Sequence, residues 1–252
     1  MSSISRRSLI VSGLKAAAGT TGLVGVIRLA DRYSLIPPDH GSLYGVGETL
    51  TYASQRVLTS GQSLAREFDR SQLSKVFPVN GPPPESETYQ RHLAADFADW
   101  RLVVDGLVAR PQSFSLADLQ RLPSRSQITL HTCEEGWSFI AEWTGVQLSY
   151  LLDLVGIAPQ AKYTVFFPLD QWWDSIDMAD ALHPQTLIAY GMNGRDLPTP
   201  HGAPVRLRVA RQLGYKNIKY LSRVTVTDTL KPLGKGLGGA SPEWGYPWWA
   251  GI

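Results

Sequence analysis

A single cysteine, Cys133, among 252 residues means that no disulfide within the chain can hold its fold together. The fold must therefore rest on a packed core. Apolar residues make up 43% of the chain, enough for a sizeable core, and charged residues only 18%. Arg6-Arg7 precedes an apolar stretch from about Leu9 to Ala30, the pattern of a twin-arginine export signal. Exported proteins usually use cysteines in pairs. A lone one is a buried spectator, half of an intermolecular bridge, or a thiolate kept free for chemistry.

The apolar stretch approaches the roughly 20 residues that cross a bilayer. Lys15 and Arg28 interrupt it, and Gly13, Gly19, Gly22 and Gly25 make it a poor soluble helix. The expected organisation is a twin-arginine signal or membrane anchor over 1–30, an irregular linker and N-terminal extension over 31–90, a globular domain over 91–230, and an aromatic tail over 231–252. A net charge of +2 argues against a nucleic-acid partner.

Within the extension, Ser60 to Lys75 is a helical candidate, with Leu64, Phe68 and Leu73 on one side. Strands are expected over Trp100–Gly106, Ser126–Thr132, Tyr163–Leu169, Leu187–Tyr190, Val205–Val209 and Val224–Val226. Ser115 caps a short helix, with Asp118 at its third position. Trp143 to Val155 reads as the approach to, and body of, a Leu-rich helix, and Met178–Leu182 as another short one. Short strands with interspersed short helices indicate an α+β domain with mixed sheets.

Two segments carry candidate chemistry. In His201-Gly202-Ala203-Pro204-Val205-Arg206-Leu207-Arg208, the alternation of a strand puts Arg206 and Arg208 on one face and Val205 and Leu207 on the other. Lys216 and Lys219 follow, with Gly214 free for a turn. Guanidinium forks and lysine ammoniums suit phosphate oxygens, so this stretch is a candidate anion site; a solvated cationic edge strand would look the same. The other segment is His131-Thr132-Cys133-Glu134-Glu135-Gly136-Trp137. One thiolate is a soft metal ligand, but a lone cysteine cannot hold an iron–sulfur cluster or a structural zinc. A cysteine nucleophile would need a histidine base, for which His131 and His201 are the candidates.

Five strings in this order, His131–Trp137, Trp143-Thr144-Gly145-Val146-Gln147-Leu148, Ala189-Tyr190-Gly191-Met192-Asn193-Gly194, His201–Leu207 and Gly214-Tyr215-Lys216-Asn217-Ile218-Lys219, resemble the sulfite oxidase-like molybdopterin-binding oxidoreductases. The likeness covers roughly Trp100 to Val226. It is strongest to the exported bacterial branch that includes the catalytic subunit of periplasmic methionine sulfoxide reductase. The resemblance implies a molybdopterin-binding fold of mixed β-sheets and short helices over the domain, with a molybdenum–molybdopterin cofactor. It implies that Cys133 supplies the metal thiolate and that His201 and Arg206 contact the pyranopterin or its phosphate. Asn217, Ile218 and Lys219 would hold the terminal phosphate with Lys216 adding charge, and the Phe77-Pro78-Val79-Asn80 loop would place Asn80 over the pterin.

The family often has Thr or Asp where this chain has Pro168, with Asp170 two further on, so that one contact departs from the pattern. The Arg-Asn-His run of the sulfite-oxidising branch is not found, and the chain ends too early for that branch's additional immunoglobulin-like domain, which points away from sulfite. Glu134 and Asp174 are candidate proton carriers. Trp137 and the Trp172-Trp173 pair are candidate pocket walls, with core packing the plainer role. The implied function is oxygen-atom or electron transfer on a small oxo substrate such as a sulfoxide or sulfite. It would operate in the periplasm or on the outer face of the cytoplasmic membrane, with a haem-containing or quinone-linked membrane partner and membrane contact through the N-terminal segment. The alternatives are a metal-free cysteine hydrolase and a non-catalytic exported anion-binding protein.

Overall fold

Local signals set most of the elements. The Asp118 N–H donates to Ser115 Oγ at 3.0 Å, and the Ser115 N–H donates to Asp118 Oδ2 at 2.9 Å. This reciprocal cap opens the helix Leu116–Arg121 as expected. The computed structural model describes residues 35–58, 63–170 and 172–252; the export segment expected over 1–30 lies outside them.

The helices are α1 (Gly45–Leu58), α2 (Glu87–Ala94), α3 (Leu116–Arg121), α4 (Leu148–Val155), α5 (Met178–Ala181) and α6 (Ala240–Glu243). The strands are β1 (Leu102–Gly106), β2 (Gln112–Phe114), β3 (Ser124–Thr132), β4 (Ser138–Gln147), β5 (Tyr163–Pro168), β6 (Asp174–Asp177), β7 (Thr186–Met192), β8 (Arg195–Asp196), β9 (Arg206–Val209) and β10 (Leu221–Thr227). One sheet has the order β2-β1-β10-β5-β6, with β1 and β10 parallel and the other pairs antiparallel. The second is an antiparallel run β3-β4-β7-β8, with β9 also pairing to β7. Mixed sheets with short helices match the fold class read from the sequence.

Between the sheets lies the main core. Trp100, Leu102, Val104, Val224 and Val226 pack with the buried face of α4, Leu148, Leu151, Leu152 and Val155. That apolar stripe recurs at helical spacing, and α4 stops where Gly156 turns left-handed at φ 70°. A smaller cluster beneath the second sheet joins Phe139, Trp143, Leu187, Ala189 and Met192.

Three expectations are corrected. Residues 63–75 are extended apart from a 3-10 turn at Arg70–Gln72, not helical. They lie along the second sheet, where the Phe68 N–H donates to Ile128 O at 2.9 Å and the Ser74 N–H to Ile140 O at 3.0 Å. A helix forms instead over Gly45–Leu58, where glycines made the sequence look irregular. Trp143–Gln147 is the end of β4, not the approach to a helix; it pairs with β3 and β7 and only then passes into α4.

The aromatic tail docks onto the body. Trp248 is buried and donates from Nε1 to Ser175 Oγ at 2.9 Å, while its N–H donates to Asp39 Oδ2 at 2.6 Å. A buried carboxylate, Asp180, gathers distant parts of the chain. It accepts from Arg56 of α1, from Arg211 Nη2 at 2.6 Å, from Gln212, and from Trp249 Nε1 at 3.3 Å.

Candidate active site

Cys133 lies just past the end of β3. Its N–H donates to Trp137 O at 2.9 Å, and the Gly136 N–H returns to Cys133 O at 3.1 Å, closing a tight loop into β4. Gly136 supplies the positive φ, 90°, that the loop requires. Only 4% of Cys133 is exposed. It borders a cleft of about 470 Å³ together with Asn80, His131, Glu134, His201, Arg206, Asn217, Ile218 and Lys219. Asn80 Nδ2 donates to the Cys133 sulfur at 3.6 Å and to Glu134 Oε1 at 3.2 Å, and the thiol donates to Glu134 Oε2 at 3.3 Å. Burial raises the thiol above its ordinary pKa and the neighbouring Glu134 adds to this, with the Asn80 donor acting in the opposite sense. The bare thiol is therefore protonated at neutral pH, and forming the thiolate calls for a positive partner in the cleft.

That partner would sit opposite a cationic wall. Arg206 and Arg208 project from the same face of β9, as its alternation requires, and both are buried. Arg206 donates to His201 O at 2.9 Å and Asn217 O at 2.8 Å. Arg208 donates to Asn217 Oδ1 at 2.9 Å, Thr129 Oγ1 at 3.1 Å and Leu130 O at 2.6 Å. Neither makes an ion pair with a carboxylate among the described residues; each guanidinium stacks over Trp143, at 5.0 and 5.5 Å from its ring centre. Burial lowers Arg206 to about 10 and Arg208 to about 9, the latter also through its neighbour Arg206. Lys219, lowered by burial and Arg206 to about 8, donates to Asn80 O at 2.7 Å and to Pro200 O at 3.2 Å. The cationic turn thus pins the loop that carries Asn80 over the thiol.

Glycines let these pieces meet. A Cβ on Gly214 would come within 3.2 Å of Cys133 Cα, and one on Gly202, whose φ is +112°, within 2.9 Å of Lys219 Cβ. Tyr220, next to Lys219, holds a left-handed φ of 56° and borders the same cleft, a strain that the surrounding packing must maintain.

Cys133, Asn80, His201, Arg206, Asn217, Ile218 and Lys219 thus share one cavity. Lys216 does not belong with them: its ammonium turns the other way into a fully buried ion pair with Asp174, over the Trp248 ring. The 3-10 turn Gly214–Lys216 points that side chain inward while Asn217 and Lys219 face the cleft. Asp174, committed to Lys216 and absent from the cleft lining, is likewise not placed for proton transfer there. Glu134 is. Trp137 and Trp172 border the cleft, whereas Trp173 packs against Phe167 at 6.3 Å. Arg208 lies behind the cleft, not on it: its guanidinium holds Asn217 Oδ1, which in turn borders the cavity. The sequence reading missed the tail's contribution of Trp244 and Tyr246 to the rim.

His201 is held neutral: burial, Arg206 and Lys219 lower it to about 4. His183 is lowered as well, by burial and then Arg211. A histidine with a depressed native pKa contributes stability that is complete above its unfolded value and declines as pH falls from about 6.5 towards the native value. His201 alone is therefore expected to cost the cofactor-free chain about 1 kcal/mol or more between pH 7 and pH 5, opposed by Asp39, which burial raises to about 6 and which gains stability over the same range. Urea midpoints at the two pH values for wild type and His201→Gln isolate the term, and an equal change in both proteins refutes it.

The cleft suits a large anionic cofactor with a metal end. Arg206 and Lys219 make no ion pair with a carboxylate among the described residues, although Glu134, Glu135 and Asp170 also border the cleft, and a soft sulfur ligand stands in the same cavity. His131 Nδ1 and Tyr220 Oη, on residues that border it, are buried without a hydrogen-bond partner among the described residues, and such groups are costly unless something pairs with them.

Comparisons with known proteins agree. The 39%-identical match is a putative protein-methionine-sulfoxide reductase subunit of Azospira oryzae, aligned over 188 residues, 75% of this chain and 68% of that protein. The catalytic subunit of protein-methionine-sulfoxide reductase of Ralstonia nicotianae is 32% identical over 149 residues, 53% of this chain and 45% of its own length. The crystal structure of the sulfane dehydrogenase SoxCD from Paracoccus pantotrophus superposes with a TM-score of 0.50 at 25% identity, over 57% of this chain and 39% of that one. The oxidoreductase molybdopterin-binding domain model matches residues 89–232, the stretch that carries both the thiol and the cationic wall. With more than half its length inside that model, the chain belongs to the molybdopterin-binding oxidoreductase family and is an oxidoreductase.

Proposed function

We propose that the cleft holds molybdenum–molybdopterin and that the enzyme reduces a small oxo substrate, with a sulfoxide as the substrate class. The observation that carries this reading is a buried thiol sharing one cleft with the buried guanidinium of Arg206, which makes no ion pair with a carboxylate among the described residues. When bound, the cofactor supplies oxygen-atom transfer between substrate and metal. Cys133 would ligate the metal, its proton leaving through Glu134, the acceptor already hydrogen-bonded to it. Arg206, Asn217, Ile218 and Lys219 would hold the phosphate end, and Asn80 would close over the pterin. Both relatives' names specify methionine sulfoxide reductases, which supports the sulfoxide. Export by the twin-arginine route, a periplasmic location and electron delivery by a haem-containing or quinone-linked membrane partner complete the reading, supported by Arg6-Arg7 and the apolar run after it and by the "subunit" in those names.

A hydrolase built on the same thiol is disfavoured. Among the described residues, Cys133 Sγ is hydrogen-bonded to Asn80 and Glu134, not to a histidine base.

Arg206→Met tests the proposal. It removes the charge while keeping the stem's length, and is expected to cut the molybdenum and pterin recovered per chain at least about 10-fold. Elemental mass spectrometry and the fluorescence of released pterin read the two components. Wild-type protein from a molybdenum-competent host that carries neither would overturn the assignment.

A further inference from the structure

We infer that the outer face of α1 and the turn before it lie against a lipid bilayer, forming a second membrane contact beside the export segment. This rests on the membrane-proximal reading above. Helices on a protein surface normally turn their apolar stripe inward. Here Val46 and Leu50 lie at the four-residue spacing of one helix face and are 78% and 67% exposed, with Leu43 and Tyr44 in the turn before the helix at 89% and 66%. The opposite face is the one that holds the helix to the body. Tyr52 is buried and donates to Asp177 at 2.6 Å, and Arg56 pairs with Asp177 and Asp180. The outward stripe is therefore presented by a helix that is firmly tied down.

The place where the chain leaves the body selects the occupant. The apolar run ends near Ala30, five positions before Leu35, at most roughly 17 Å of extended chain. The described chain then turns at Pro38–Gly41 and is fixed there, with Asp39 accepting the Trp248 N–H at 2.6 Å. A bilayer that takes up the run 9–30 is thus held within reach of Leu43 and α1. No side chain of the stripe is charged, which suits the acyl boundary, and tyrosine suits the interface. Among the described residues no helix is long and apolar enough to cross a membrane, so this contact lies on the surface and does not span.

The test uses the full chain with Cys133→Ser, so that one introduced cysteine is the only thiol. Val46→Cys and Leu50→Cys are each labelled with a polarity-sensitive fluorophore, and Arg121→Cys on α3 is the control. Each protein is mixed with phosphatidylcholine vesicles with and without brominated acyl chains. Labels at 46 and 50 are expected to shift to the blue and to be quenched about two-fold by brominated lipid, while the label at 121 is unchanged. Flotation with the vesicles but water-like labels at 46 and 50 overturns the proposal and leaves the anchor reading intact. A blue shift without quenching also overturns it, because a protein partner or second copy then covers the stripe. Failure to float at all removes both the anchor and the contact, without touching the cofactor assignment, which is read from metal and pterin content.

Discussion

Cys133→Ser is expected to lower sulfoxide reduction by at least about 100-fold while pterin stays bound. Outer partners of metal ligands already cost about 10–100-fold when removed, and Cys133 would itself be the ligand. Serine fits the same space, so the loop closed by the Trp137 carbonyl and the Gly136 N–H should persist. The cationic side of the cleft, Arg206 and Lys219, with Arg208 supporting Asn217 behind it, is untouched by the change. Pterin content near wild type with lost turnover is the expected pair of results. Turnover within a few-fold of wild type would show that the sulfur does not serve the metal, and parallel loss of pterin would show that the thiol matters for binding instead.

Asp180→Ala should be the most damaging single change to the fold, costing about 3–5 kcal/mol. Asp180 is 1% exposed, and Arg56 and Arg211 hold its carboxyl below the usual carboxylate range despite its burial. Truncation takes from Arg211 its 2.6 Å carboxylate acceptor, leaves Arg56 with Asp177 as its acidic partner among the described residues, and frees Gln212 and Trp249 from their acceptor. Against a typical stability of 5–15 kcal/mol this is a large share. Asp180→Asn keeps the shape but loses the charge and should fall between alanine and wild type. Urea denaturation distinguishes the variants, and an alanine variant within about 1 kcal/mol of wild type would mean that the ion cluster breaks even against its own desolvation.

Much of the domain was legible because its signals are local. Ser115 and Asp118 spell a helix start, the stripe from Leu148 to Val155 spells a buried helix, and Asn193-Gly194 spells the turn it makes, with φ of 53° and 74°. The cleft was legible for another reason: Cys133, His201, Arg206 and the Asn217–Lys219 turn sit in strings whose order resembles a family, and the fold brings them together. What escaped depends on distant partners. Residues 63–75 carry a helical spacing, but their backbone finds donors and acceptors on β3 and β4, and nothing within the segment announces that. Lys216 looks equivalent to Lys219 in sequence; only Asp174, 42 positions away, draws it out of the cleft. Helix α1 was obscured by Gly45 and Gly47, which occupy its first turn and leave the run from Thr49 to Leu58 intact.

The parallel pairing of β1 with β10 also governs how the molecule comes to be. Val103 sits beside Arg223, about 120 residues along the chain, so the central sheet cannot zip from a hairpin outward. It must wait for a long loop to close, which slows folding. Until β10 docks, β1 and β5 offer bare edges to neighbouring molecules, a state prone to clumping at high concentration. Because Lys219 and Tyr220 lead directly into β10, their side of the cleft is complete only once β10 has paired. Synthesis at low temperature, or with chaperones that shield strand edges, should therefore raise the yield of protein competent to take up its cofactor.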